Sequence, residues 1–152
     1  MNLIFEIAFF NRKVLRDLLE ELSYEQLTVI LEKFNNSIFW NIAHILVTQQ
    51  LLIYEFSGLP NTIDDKIIEK FRKGTKATTD ISMKEIEYVK NQLIPVIEKT
   101  QDDYKNGVFK KYTPYHTSVN ISLNDIDDAL KFNAFHDGIH LGVILSLKKI
   151  VL

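Results

Sequence analysis

A chain of 152 residues with 46% hydrophobic and 25% charged residues has the composition of one globular domain, residues 1–152, with a proper core. Its formal net charge of -2 provides no electrostatic argument for nucleic acid or an anionic membrane as partner, and the absence of cysteine removes disulfides, thiolate metal sites and cysteine nucleophiles. No uncharged apolar run is long enough to cross a bilayer, and "MNLIFEIAFFNRK" lacks the basic start and small-residue cleavage site of a signal peptide, so a cytoplasmic protein is expected.

The first segment, from about Leu3 to Leu22, places Leu3, Ile7, Phe10, Val14, Leu18 and Leu22 three and four residues apart, which predicts one apolar helical stripe. After Ser23, "YEQLTVILEKF" reads as a short helix. The second long segment, Ser37 to Ser57, carries one charge, Glu55, and is expected to be buried over most of its surface, with Gly58 and Pro60 ending it. A long polar connection, Pro60 to Ile81, follows. Ser82 then caps a third helix with Glu85 in capping-box position. Its stripe continues through Ile86, Val89, Leu93, Val96 and Ile97 to Gly107, and Pro95 should kink it. A second connection, "VFKKYTPYHTSVNI", has weak strand signals. Ser122 and Asp125 make another capping-like pair, opening a helix that can run to the C-terminus. Four long amphipathic segments joined partly by long connections predict an all-α four-helix bundle with crossovers.

The last segment holds His136 and His140, four residues apart, in an otherwise apolar run. With Asn133 and Asp137 they fill one arc of a helical wheel, about 100° wide. That arc is bounded above and below by Ile126, Ala129, Ile144 and Leu147. Elsewhere the chain builds wet faces from Lys and Glu, as in "MKEIEYVK", so this polar patch is expected to be buried and to need partners. Histidines at i and i+4 can reach one ion, as in H-E-x-x-H, but two ligands make an incomplete site. His44, on a largely apolar face of the second segment, reads alone as a core histidine and becomes a third ligand only if the bundle brings it to the pair. His116, in "TPYHTS", reads as a loop histidine. "HDGIH" is not a metalloprotease motif: Asp stands where the general base is Glu, and only twelve residues follow His140.

Three stretches in this order resemble the DinB/YfiT-like superfamily of small metal-dependent four-helix bundles. "FFNRKVLRDLLEELSYEQL" resembles its first helix. "NSIFWNIAHILVTQQLLIYEFSG" resembles its second, with one histidine after a Trp-containing turn. "FHDGIHLGVILSLKK" resembles the last, with an HxxxH pair before an aliphatic run. The resemblance implies an up-down-down-up bundle, metal ligation by His44, His136 and His140, frequent homodimers, and activities that include transfer of a low-molecular-weight thiol.

A three-histidine set implies zinc or nickel with an open coordination position, hence an activated water or thiol attacking a small molecule. Asn133 and Asp137, one helical turn from the pair, are candidates for orienting a ring N–H, and Asp137 for a base; a plain helix-surface hydrogen bond is the alternative for both. A metal-dependent transferase or hydrolase is therefore expected, with a non-catalytic binding or dimerisation module of the same fold as the alternative. Phe135, Gly138, Gly142 and Leu145, opposite the histidines, need cover, either from "YEQLTVILEKF" or from a second subunit.

Overall fold

The computed structural model describes residues 2–152. Helix α1 spans Leu3–Glu21, and the Asn2 side chain caps it by accepting from the Ile4 N–H. The expected stripe holds in the second half, where Leu18 and Leu22 are buried and Val14 packs on the core, and fails in the first. Phe5, Arg12, Leu15, Leu18 and Leu19 face inward, while Leu3 (67% exposed), Ile7 and Phe10 (65%) face out. A helix rich in apolar residues on two sides offers two stripes, and spacing alone does not choose between them.

Helix α2 is the single turn-and-a-half Tyr24–Thr28, closed by a Ser23–Gln26 capping box. It stops well short of Phe34, where the β-branched run Thr28-Val29-Ile30 leaves helical geometry at Val29. Helix α3 covers Ile38–Gln50 with Ser37 as N-cap, and all but Thr48 of those thirteen residues are buried or nearly so. It continues as a π-helical turn, Leu51–Glu55, in which the Phe56 N–H reaches back to the Leu51 carbonyl.

The connection after Pro60 is not a plain loop. Asp64 caps a helix α4, Asp65–Phe71, that buries Ile67, Ile68 and Phe71 against α3. Two acidic residues before an apolar i, i+1, i+4 set were its signal. Helix α5, Met83–Lys105, starts with the expected Ser82–Glu85 capping box and runs on through Pro95, which lies on its exposed side. A two-residue hairpin, β1 (Tyr115–His116) and β2 (Ser122–Leu123), precedes α6, Ile126–Val151. The N-cap of α6 is Asp125, which accepts from Asp128 N–H; Ser122 is instead in β2, bonded to His116.

Side-chain pairs set the helix directions. Phe5 meets Tyr104, so α1 and α5 run antiparallel. Glu21 pairs with Lys148, and Asn11 lies at Asp137, so α1 and α6 run parallel. Gln49 donates to Thr100 and Tyr54 to Asp103, so α3 and α5 run parallel. Asn41 meets His140 while Ile53 packs with Ala129 and Leu130, so α3 and α6 are antiparallel. The result is an up-down-down-up four-helix bundle. Its core is one continuous cluster from Leu15 and Leu18 through Phe39, Leu46 and Leu93 to Ile144, with a second cluster around Phe5, Ile53 and Ile97.

Candidate metal centre

The antiparallel packing of α3 on α6 brings His44 to His136 and His140. One ring nitrogen from each lies within 4.8 Å of those of the other two. Their ring centroids stand 4.4 to 5.2 Å apart. Tetrahedral zinc would hold such nitrogens about 3.3 Å from one another, so small ring movements complete the set.

Two of the three rings are held by hydrogen bonds that fix their tautomers. His44 Nδ1–H donates to the Phe71 carbonyl at 2.7 Å, where α4 ends. Trp40 stacks on its ring at 4.6 Å. His140 Nδ1–H donates to Asn41 Oδ1 at 2.8 Å, and Asn41 is itself oriented because its Nδ2 donates to the Ser37 carbonyl. Both rings are thereby left with a lone pair on Nε2, the form a metal ligand needs. Thr48 donates to His44 Nε2 at 3.3 Å, a long contact that rotation of its hydroxyl releases. Burial pushes the His44 pKa down to about 4, and burial together with the charge of His136 pushes His140 down to about 3. Both are neutral at pH 7 and ready to coordinate.

His136 is held differently. Its Nδ1 is buried without a hydrogen-bond partner among the described residues, 3.9 Å from an equally unpartnered Asp137 Oδ1. The other oxygen of Asp137 accepts from Arg12 Nη1 at 2.9 Å in an ion pair whose side chains are 0% and 2% exposed. Asn133 Nδ2 approaches the same Oδ2 at 3.4 Å, and Asn11 lies against the Asp137 backbone. Asp137 and Asn133 therefore face the core, behind the histidines, and neither lines the cavity in front of them. Asp137 is buried and does not line the cavity, and its free Oδ1 stands 3.9 Å from His136 Nδ1, too far for a hydrogen bond. Arg12 was not legible as part of this arrangement, although its place seven residues after Phe5, on the same buried stripe, marks it. His116 is exposed on β1 and stays away from the cluster.

In front of the rings lies a half-open cavity of about 680 Å³, within the range of small-molecule sites. All three histidines line it. The π-helical turn contributes Leu51, Leu52 and Glu55, α6 contributes Phe132, Phe135 and Ile139, and the hairpin and the end of α4 close the sides. Sequence reading treated these last two segments as connections and missed their part in the site.

The sequence profile of the DinB superfamily matches residues 10–144. The chain belongs to that superfamily. Among curated proteins, no sequence matches it significantly. No helix among the described residues is long and apolar enough to cross a membrane.

Proposed function

We propose that the protein is a divalent-metal-dependent enzyme acting on a small organic molecule, of thiol-transferring or hydrolytic type, with His44, His136 and His140 as the ligands. The observation that carries this reading is the convergence of three imidazoles, two of them with Nδ1 tied down so that Nε2 carries the lone pair, in the wall of a ligand-sized cavity. An all-imidazole donor set suits zinc or nickel. Such an ion, when bound, supplies a Lewis acid with an open position, which raises the acidity of a water or low-molecular-weight thiol. The chain's own part is geometric. Phe71 and Asn41 keep two rings in the coordinating tautomer, the Arg12–Asp137 pair backs the third, and Phe132 and Ile139 give the reacting molecule an apolar wall.

Elemental analysis of the purified protein, followed by zinc and nickel titration of the chelated form, tests the metal reading. Tight binding of one ion per chain is expected. A protein that takes up neither ion below millimolar concentration would sink it and leave a non-catalytic bundle. Thiol addition to model electrophiles, run beside thiol-free hydrolysis, then separates the two reaction types.

The second part of the proposal is a homodimer through α6 and α1. Leu145 (42% exposed) on α6 lies uncovered by the chain's own helices, and Leu3, Ile7 and Phe10 lie uncovered on the adjacent, parallel α1. Sedimentation at micromolar concentration tests it, with a monomer as the overturning result.

A further inference from the structure

The cavity in front of the histidines carries a second chemical instruction, at the turn after α4. Phe71 ends that helix, and its carbonyl accepts the His44 Nδ1–H. The next two residues, Arg72 and Lys73, both line the cavity. Their turn is fixed: Thr75 N–H and Oγ1 both donate to the Arg72 carbonyl, at 3.2 and 2.7 Å, and Gly74 takes φ +87°. Only glycine adopts that conformation without strain. Two cations are thus attached through one backbone segment to the histidine cluster itself.

Their charges are available to a ligand. Lys73 is exposed and makes no ion pair among the described residues. Arg72 has a surface pair with Glu69 at 3.1 Å through Nη1, both side chains well exposed, the kind of contact that a ligand exchanges at little cost. Against these two cations the cavity sets one carboxylate, Glu55. Much of the remaining lining is apolar and aromatic, with Phe132, Phe135 and Ile139 from α6 and Leu51 and Phe56 from the π-helical turn and its end, beside the hydroxyls of Thr48, Thr117 and Ser118. The cavity therefore combines a net cationic charge with a largely apolar lining, in a chain whose formal net charge is -2.

The geometry points to a substrate class: an organic anion with an apolar or aromatic body, its carboxylate, sulfonate or phosphate held by Arg72 and Lys73, its body laid along α6 and its reacting centre at the histidines. This inference rests on the cavity being the reaction site. Arginine and lysine together suit such a head group, one by a planar fork and the other as a point charge. Because their turn is tied to His44, the distance between anion and reacting centre is set by the fold, which makes the pair a ruler for ligand length.

The test uses 4-ethylbenzenesulfonate and the uncharged 4-ethylbenzyl alcohol, titrated into metal-free and zinc-supplemented protein, with affinities read from the Ile139 methyl NMR signals. Sulfonate is a poor metal ligand, so its binding reports the cation pair rather than an ion. The sulfonate is expected to bind about tenfold more tightly than the alcohol, and Arg72→Gln with Lys73→Gln is expected to bring the two probes level. Both positions are at least partly exposed, so the variant should fold; its unchanged amide spectrum and zinc affinity are the controls. Equal binding of the two probes by the native chain, a preference that survives the double substitution, or no response at Ile139 to either probe at millimolar concentration overturns the inference. A native chain that discriminates between the probes yet binds no zinc would instead overturn the metal reading alone.

Discussion

Helices α3 and α6 are the two least charged long stretches of the chain, they pack against each other, and both carry histidine, yet they are covered very differently. From Ile38 to Gln50 only Thr48 escapes burial, because α2 and α4 close over the sides of α3 that the bundle leaves open. On α6 the buried residues are Ala129, Leu130, Asn133, Asp137, Ile144 and Leu147, one face only. The histidine side of α6, with Phe132, Phe135 and Ile139, opens onto the cavity, so Phe135 does not lie opposite the histidines as expected, and the third side, with Leu145, meets solvent. Similar hydrophobicity thus has different causes: in α3 it fills a core, and in α6 it lines a site and leaves a surface to be covered. The polar residues follow the same division. His44 on α3 is locked by ring stacking and a backbone carbonyl, whereas His136 on α6 has a buried Nδ1 with no hydrogen-bond partner among the described residues.

The strongest test of that division is to remove one ligand from each helix. His140→Ala and His44→Ala should each weaken zinc binding by more than about a hundredfold, since a two-histidine remnant is not a site. Their stabilities should differ: His44→Ala opens a void beneath Trp40 and releases the end of α4, whereas His140→Ala unpairs only Asn41. Metal titration beside chemical denaturation decides. Equal stability losses at the two positions would contradict the contrast between a core histidine and a site histidine.

The next effect concerns the layer behind the site. Asp137→Asn leaves Arg12 charged and unpaired in the core and should cost about 3–5 kcal/mol. Replacing both partners, Arg12→Met with Asp137→Leu, should restore much of that stability, because a buried pair is often replaceable by apolar side chains. Zinc affinity should stay about tenfold or more below native in both variants if Asp137 positions His136. The double variant recovering stability and full affinity together would reduce the ion pair to a packing feature.

These two layers also show what sequence made legible. The four long helices, the capping box at Ser82 and the burial of Asn133 and Asp137 could be read because local spacing and cap chemistry encode them, whereas α4 was hidden in a segment that read as a connection. That the three histidines stand together was suggested by family resemblance, since spacing places His136 and His140 on one face but says nothing of where His44 lies. The inward face of the first half of α1 was misread because Leu3, Ile7 and Phe10 form as good a stripe as Phe5, Arg12 and Leu15; the choice is made by Asp137, 125 residues away, which receives Arg12. Arg72 and Lys73 were hidden in a connection because their significance lies in the Phe71–His44 bond, a contact no local pattern announces.

A smaller effect is expected from pH on the metal-free protein. The ordinary histidine value is 6.5, and folding lowers His44 to about 4 and His140 to about 3, chiefly by burial. The unfolded chain therefore binds protons at these two residues that the folded chain refuses. Their contribution to stability is fully present above pH 6.5 and is lost as pH falls from there toward the folded values. Denaturation midpoints should fall between pH 7.5 and 5, and less so in His140→Gln. Zinc should steepen the decline, because protons then compete with the ion for the same nitrogens. A His140→Gln variant with the native pH slope would show that these rings are not the source.

The smallest effect, and the one that most sharpens the comparison, lies on the outer side of α6. Gly138 and Gly142 sit in mid-helix, where glycine costs up to about 1 kcal/mol relative to alanine. A Cβ built at either position meets nothing within 4 Å, so the bundle itself has no need of a small residue there. In a monomer, Gly142→Ala should simply stabilise the helix. In a dimer packed through this face, the glycines let the partner helix approach, and the outcome depends on concentration. Gly142→Leu should then shift sedimentation from dimer to monomer while the helical content is kept. Phe10→Lys, exposed on the neighbouring α1, should act in the same direction, because Asn11 lies at Asp137 and so places Phe10 within about one turn of Gly138. If Gly142→Ala raises the denaturation midpoint equally at low and high protein concentration, and Gly142→Leu sediments as the native chain does, the outer face of α6 is plain surface and the dimer is excluded.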